Sequence, residues 1–190
     1  MKIIISPAKK MNVDTDSFAA GGRPAFIEDT KILMNAMKSL SLAEAKALWK
    51  CNDKLAELNY RRFREMDLEG ALTPAVMSYE GLQYQHMAPA VFTEDALSYI
   101  AENLRILSGF YGILKPFDGV TPYRLEMQAV LSVNGCKDLY EFWADRLCKS
   151  LLAEDRTIVN LASREYSRCI EKYITPDVRF ITAEFGELID

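Results

Sequence analysis

Three consecutive isoleucines near the amino terminus constrain the fold of this 190-residue chain more than any other feature. Ile3, Ile4 and Ile5 are β-branched, and Pro7 ends the run. A short, continuous β-branched run that proline ends is typical of a buried strand. A strand at this position that feeds a polar loop is common in α/β proteins. We therefore predict a buried first strand from Lys2 to Ser6, followed by a long polar loop to about residue 24.

Segments with helical spacing alternate with short apolar runs along the rest of the chain. Helices are predicted over about 27–40, 41–50, 53–66, 93–104, 138–151 and 163–170. Strands are predicted over 75–79, 123–133, 157–162 and 178–185. This alternation predicts a mixed α/β fold, in which helices flank a mixed sheet. The length favours a single compact domain over residues 1–190.

Charge and hydropathy limit the class of protein. The chain carries 23 lysines and arginines against 27 aspartates and glutamates, a formal charge of −4. This balance argues against a generally basic nucleic-acid-binding protein, but it leaves room for a local basic cleft. No run approaches the roughly 18 apolar residues of a membrane span, and the amino-terminal apolar run is too short for a signal peptide. We therefore expect a cytoplasmic protein without a membrane partner.

Cysteine and histidine are too sparse for a recognisable metal site. Cys51, Cys136, Cys148 and Cys169 form no Cys-x-x-Cys pair, and His86 is the single histidine. We therefore expect reduced thiols, no resident metal and no cofactor. No sequence marker supports a catalytic role for His86, so an ordinary loop or helix-start position is favoured.

Lys9 and Lys10 follow the first predicted strand. In open α/β sheets, ligands bind beyond the carboxyl ends of the strands. A lysine there can hold an anion as a point charge, and a desolvated lysine can act as a nucleophile. The alternative is that both lysines are solvated in a polar loop.

Charged side chains also cluster in two later segments. Arg61, Arg62 and Arg64 lie late in a predicted helix, where such a run is usually a solvated helix end but could contact phosphate. In the segment 123–127, strand alternation would place Arg124 and Glu126 on one face. They could then form an ion pair or hold a ligand together.

Several sequence blocks, taken in order, resemble the YaaA peroxide-stress family. They are Ile5–Lys9 (ISPAK), Asp53–Ala56 (DKLA), Leu104–Pro116 (LRILSGFYGILKP), Pro122–Met127 (PYRLEM), Lys137–Tyr140 (KDLY) with Phe142 and Trp143, and Asn160–Ser163 (NLAS) with Glu165 and Tyr166. These blocks span nearly the whole chain. No single block is a general catalytic signature, and their combination carries the resemblance.

The resemblance implies a cytoplasmic peroxide-stress (hydroperoxide-response) protein that limits damage driven by intracellular iron, and so acts in iron homeostasis. It implies a helix-hairpin-helix element and a positively charged cleft that suits duplex or distorted DNA. The element is placed at the helix 93–104 and the glycine-containing stretch after it. Family members are usually longer, so the resemblance also implies that this chain lacks a basic C-terminal segment. A monomer is favoured.

The resemblance also supplies site residues. The implied DNA-binding residues are Lys9, Lys54, Ser108, Gly109, Tyr111, Gly112 and Arg124, with Asn160 and Ser163 in a second rank. Alternatively, the glycines could serve only a turn, and Asn160 could only cap the next helix. No catalytic activity is established by these residues. The alternative function is a lysine-dependent enzyme that acts on damaged DNA, like a lyase or glycosylase, with Lys9 and Glu126 as catalytic candidates.

Overall fold

A five-stranded mixed sheet forms the centre of the fold. The computed structural model describes residues 1–16 and 18–183. The strands lie in the order Gly112–Leu114 (β6), Leu104–Ser108 (β5), Lys2–Ile5 (β1), Thr157–Asn160 (β8) and Arg179–Thr182 (β9). β5, β1, β8 and β9 run parallel, and β6 is antiparallel to β5. Two small antiparallel pairs join Lys10–Met11 (β2) to Tyr79–Glu80 (β4) and Thr73–Pro74 (β3) to Gly119–Val120 (β7).

The predicted buried first strand is confirmed. β1 is the central strand of the sheet, with β5 on one side and β8 on the other. Ile3 pairs with Leu104 and Val159, and Ile4 and Ile5 are at most 2% exposed. A parallel strand whose two faces are both buried needs apolar side chains on both faces, which explains the unbroken isoleucine run.

Helices cover the sheet, so the predicted mixed α/β fold is confirmed. They are Ile27–Ser39 (α1), Leu42–Trp49 (α2), Asp53–Glu65 (α3), Ala75–Ser78 (α4), Leu82–Met87 (α5), Glu94–Asn103 (α6), Leu139–Trp143 (α7), Arg146–Glu154 (α8) and Arg164–Glu171 (α9), with a 3₁₀ turn at Pro89–Val91. The capping box at α2 is present: the Ser41 hydroxyl accepts from Glu44 N, and Ser41 N donates to the Glu44 carboxylate. In the described part of the chain, no helix has both the length and the apolar content needed to cross a membrane.

Two predicted strands are wrong, and one predicted helix is divided. Residues 75–78 form α4, a single helical turn that Tyr79 N closes by donating to the Ala75 carbonyl. The amides of Ala75 and Val76 donate to the carbonyls of Asp118 and Pro116, beside the β3–β7 pair. The segment 123–133 is irregular: its apolar side chains, apart from that of Val130, pack into the core, but no strand pairs with its backbone. The helix over 138–151 breaks at Ala144, whose φ of +46° interrupts the helical path between α7 and α8.

The placement of the helix-hairpin-helix element at 93–114 is wrong. α6 forms as predicted, with Thr93 as its cap, but the chain then enters β5 and turns directly into β6. Gly112 has a φ of +76°, and an added Cβ there would lie 3.0 Å from Trp143 and Leu147. The glycines therefore permit a buried β-turn packed on α7 and α8, which supports the turn alternative.

The carboxyl-terminal strand is confirmed in part. β9 covers Arg179–Thr182 and pairs with β8 in parallel. Residues 184 and 185 of the predicted strand lie outside the described residues. The single domain over 1–190 and the missing C-terminal segment stay predictions.

Candidate functional site

The parallel strands change their order at β1. In chain order they are the first, second, third and fourth parallel strands, and they lie in the sheet as second, first, third, fourth. In such sheets the ligand crevice lies beyond the carboxyl ends of the strands on either side of this change, here β1 and β8. The loops that follow β1 and β8 meet at this crevice, since Ser163 N donates to Ser6 Oγ over 2.9 Å. The second-rank residue Ser163 therefore borders this crevice.

Lys9, Arg124 and Glu126 converge beside these loops. Lys9 Nζ lies 3.2 Å from one oxygen of the Glu126 carboxylate, and Arg124 Nη2 lies 3.0 Å from the other. The Lys9 side chain is 63% exposed, whereas those of Arg124 and Glu126 are 12% and 17% exposed. The predicted Arg124–Glu126 ion pair is confirmed, although the strand that suggested it does not form.

Glu165 adds a second carboxylate to this cluster. Burial raises its pKa and the neighbouring Glu126 adds to the rise, while an amide hydrogen bond from Gln128 and the charge of Lys9 oppose it. Sequence reasoning included Glu165 only in a matching block and missed it as a site residue. The available signal was its position, because α9 starts directly after the β8 loop, which makes Glu165 the second residue of that helix.

A cavity of about 730 Å³ opens beside the cluster. Its apolar wall comes from Leu40, Ala47, Leu48, Trp49, Ala129, Val130 and Leu131, and its polar wall from Lys9, Glu44, Lys50, Arg124, Glu126, Gln128 and Ser132. Three cations therefore face two carboxylates. The lining is of mixed charge, with more cations than carboxylates, whereas the resemblance implies a positively charged cleft.

Two buried donors at this cavity lack a hydrogen-bond partner in the described structure, Arg124 Nε and Trp49 Nε1. Buried polar groups are usually paired, so such donors mark positions where a bound molecule or a small rearrangement would lower the free energy. The Trp49 ring stacks on Phe63 at a centroid distance of 6.1 Å, which ties the end of α2 to α3.

Lys54 lies apart from the Lys9 cluster, in the first turn of α3. It is exposed, as is Lys50 in the connection between α2 and α3. Asn52 caps α3, since its side chain accepts from Leu55 N over 3.0 Å. The structure therefore brings Lys9 and Arg124 together and places Lys54 on the neighbouring helix pair.

Ser108, Gly109, Tyr111 and Gly112 are buried. The Ser108 hydroxyl bonds to that of Tyr123 over 2.6 Å, and the Tyr111 hydroxyl accepts from a backbone amide at Thr121. Their polar groups are thus used inside the core beneath the crevice. We do not include these four residues in the interface proposed below.

Two further candidates have local roles. Asn160 is buried, and its side-chain oxygen accepts from Ala162 N over 2.9 Å. It holds the turn between β8 and α9, whereas Ser163 is the N-cap residue of α9, so the capping alternative for Asn160 is wrong. His86 is exposed in α5. Among the described residues, no group of three or more His, Cys, Asp and Glu side chains is arranged to hold a metal ion.

A second cavity, of about 440 Å³, lies near the amino end of β5. Arg105 is only 3% exposed there and forms an ion pair with Glu154. The carboxyl of Asp118 is also buried, and desolvation raises its pKa to about 6 although Lys115 N donates to it. Arg105, Glu154 and Asp118 thus have partners within the protein, which gives these buried charges of the cavity a structural role.

Comparison with known proteins extends over the whole chain. A sequence profile of the family described as "Peroxide stress protein YaaA" matches residues 1–190. A UPF0246 protein of Agathobacter rectalis is 56% identical over 187 residues, covering 98% of this chain and 75% of the relative. A UPF0246 protein of Pediococcus pentosaceus is 52% identical over 190 residues, covering 100% of this chain and 76% of the relative. The chain therefore belongs to the YaaA peroxide stress protein family.

Proposed function

We propose that this protein is a cytoplasmic, monomeric DNA-binding protein of the peroxide stress response, which limits iron-driven damage by binding duplex or distorted DNA. The proposal assigns the phosphate contacts to the connection between α2 and α3. The nucleotide next to those phosphates then contacts the crevice that contains Lys9 and Arg124.

The geometry of the α2–α3 pair carries this proposal. Two helices are joined by Lys50, Cys51 and Asn52, and Lys50 adopts a left-handed conformation with φ of +47°. We propose that this pair is the helix-hairpin-helix element that the family resemblance implies. The first amides of α3 and the exposed Lys54 then offer donors and positive charge at a helix N-terminus, where phosphate binds well. Such contacts position a duplex without reading its sequence.

The second support is the closeness of the two candidate surfaces. Lys50 lines the same cavity as Lys9 and Arg124. A backbone held at the α2–α3 connection would therefore pass beside the Lys9 cluster. Arg61 is also exposed and lies later in α3, so it extends the positive charge along that helix.

A salt series of fluorescence anisotropy titrations tests the proposal with a labelled duplex and a nicked duplex. Affinity should fall steeply as salt rises, because phosphate contacts release counterions. Lys54→Gln should weaken binding to both DNAs and lower the slope of log K against log[salt] by about 1. Lys149→Gln is the matched control, since Lys149 is an exposed lysine on α8. Absence of binding at low salt would refute the proposal.

A second candidate is a lysine-dependent enzyme acting on damaged DNA. It rests on the contact of Lys9 Nζ with the Glu126 carboxylate, which could accept the lysine proton. The free amine would attack the C1′ aldehyde of an abasic site, and loss of water would give an imine. An ammonium has no lone pair, so the Lys9 proton would have to pass to Glu126 before the amine could attack.

Borohydride trapping on abasic DNA tests this candidate. A covalent adduct that Lys9→Ala abolishes would support it. Lys10→Ala is the control, because Lys10 is the adjacent exposed lysine and pairs with Glu80. No adduct, or an adduct that persists without Lys9, would contradict a Lys9 nucleophile.

A further inference from the structure

We infer that the 730 Å³ cavity between α2 and the segment 124–132 is a pocket for one unstacked nucleobase, with the phosphates outside it on the α2–α3 connection. This inference rests on the proposed DNA binding and names what enters the crevice. It concerns the purine or pyrimidine ring itself, whether in a strand or as a free nucleoside.

Glu126 in the polar wall disfavours a phosphate beside Arg124. The carboxylate of Glu126 lies 3.0 Å from the guanidinium of Arg124. A phosphate bound to Arg124 would therefore lie beside this negative charge. Burial raises the pKa of the neighbouring Glu165, and the charge of Glu126 adds to that rise. Like charges brought together in a partly buried site cost free energy. A neutral polar ligand avoids that repulsion.

The same wall suits the edge of a base. Glu126 offers only acceptors, Arg124 offers only donors, and Gln128 offers both, all within one cavity lining. Nucleobase edges display donors and acceptors side by side, and paired contacts of this kind distinguish one base from another. The unpartnered Nε of Arg124 shows that its donors are not all used within the described structure.

The apolar part of the lining suits the faces of a flat ring. Leu48, Val130 and Leu131 contribute aliphatic surface to the cavity. Val130 is 74% exposed, so its side chain buries little surface in the folded protein and remains available to contact a ligand. Cavities of about 300–1,000 Å³ with apolar walls and a few polar groups are typical small-molecule sites.

The position of Lys50 connects the pocket to the DNA backbone. It belongs both to the α2–α3 connection and to the cavity lining. A nucleotide whose phosphate is held there can place its base in the cavity. Extrusion is easiest for a base that is mismatched, unpaired or in a single strand.

Two duplexes that differ only at one position test the inference. One carries an unpaired 2-aminopurine, and the other carries a tetrahydrofuran abasic residue in its place. We expect the base-bearing duplex to bind at least about fivefold more tightly, as one good paired base contact allows. The fluorescence of 2-aminopurine should also change on binding. Free 2-aminopurine deoxyriboside is titrated as a third ligand.

Matched tryptophan substitutions locate the pocket. Val130→Trp should fill the cavity and reduce the ratio of the two duplex affinities to about 1. Leu82→Trp is the control, because Leu82 is equally exposed, at 74%, on α5 and does not line the cavity. It should keep the ratio. The urea unfolding midpoint of each variant shows whether it is folded. An unchanged ratio of the two duplex affinities in a folded Val130→Trp variant would overturn the placement of the base in this cavity.

Glu126→Gln separates base recognition from phosphate binding. If the cavity holds phosphate, removing this carboxylate should tighten both duplexes alike. If it holds a base, the ratio of the two affinities should change, because glutamine replaces a carboxylate that only accepts hydrogen bonds with an amide that both accepts and donates. Equal tightening of both duplexes would overturn the inference.

The outcomes separate this inference from the proposed function. Loss of all duplex binding would refute the proposed function, and saturable nucleoside binding that Val130→Trp abolishes would still uphold the pocket. Equal affinity for both duplexes, together with no saturable nucleoside binding, would overturn the pocket while leaving DNA binding in place.

Discussion

The guanidinium of Arg124 lies 3.0 Å from the carboxylate of Glu126, two residues away along an irregular segment. Neither side chain is more than 17% exposed, so water contributes little to their solvation. Lys9 reaches the same carboxylate from the loop after β1. The Lys9–Glu126 contact therefore joins the segment 123–133 to the loop after β1, and the Arg124–Glu126 pair holds the local shape of that segment where the proposed ligand binds.

The first prediction concerns this ion pair. Arg124→Ala should lower the free energy of unfolding by about 1.5–3 kcal/mol, because a largely buried hydrogen bond to a charged group is lost. Arg124→Lys should lose less, since it keeps the charge but not the planar donors. Urea unfolding followed by circular dichroism measures both. An Arg124→Ala midpoint equal to wild type would mean that the pair does not hold the segment.

The second prediction concerns the left-handed residue that ends α2. Lys50 has φ of +47°, in the left-handed region of the backbone, which disfavours residues other than glycine. Lys50→Gly should therefore be more stable than Lys50→Ala by about 1 kcal/mol. Both variants should weaken DNA binding equally, because both lose the charge. Equal unfolding free energies of the two variants would show that the turn relaxes around position 50.

The third prediction concerns Asp118 and pH. Burial raises the pKa of this carboxyl from 3.8 to about 6, so the folded state binds a proton that the unfolded state does not. The cost of burying the carboxylate is absent below pH 3.8, grows as pH rises to about 6 and is complete above it. Asp118→Asn should thus stabilise the protein by about 2–3 kcal/mol at pH 7.5.

The comparison at two pH values supplies the control for Asp118. At pH 4 the wild type and Asp118→Asn should have nearly equal unfolding free energies, since the wild-type carboxyl is then largely protonated in the folded state. Urea midpoints at pH 4 and 7.5 measure the difference. A gap that stays constant between these pH values would show that Asp118 does not titrate as the structure indicates.

The fourth prediction concerns thiol reactivity. Cys148 and Cys169 are at most 3% exposed, and burial raises the pKa of both, that of Cys169 to about 12. Because the thiolate is the reactive form, these two should resist alkylation and peroxide. The half-buried Cys51 and Cys136 should react first.

Mass spectrometry of iodoacetamide-treated protein measures the order of labelling. In urea, all four cysteines should react at similar rates, which shows that folding protects the slow pair. Rapid labelling of Cys169 in the folded protein would indicate that α9 opens on the timescale of the experiment.

Local patterns that one element satisfies by itself were predictable. The isoleucine run identified β1, because a strand buried on both faces needs apolar groups on both. The Ser41–Glu44 pair identified the start of α2, because a capping box depends on only four consecutive residues. The segment 123–133 was not predictable in the same way. Its alternation reflects packing of Tyr123, Leu125 and Met127 into the core, and the same pattern arises in a strand.

The sequence by itself determined the family, the class of fold and the cations at the end of β1, since these depend on residue types in a fixed order. Only the tertiary structure decided which charged groups meet. Glu126 and Glu165 come together beside Lys9 because the order of β5, β1 and β8 joins distant loops at one edge. Only packing showed that Ser108 and Tyr111 are buried while Lys50 borders a cavity. Proximity between residues far apart in the chain follows from the pairing of strands, and no local spacing records it.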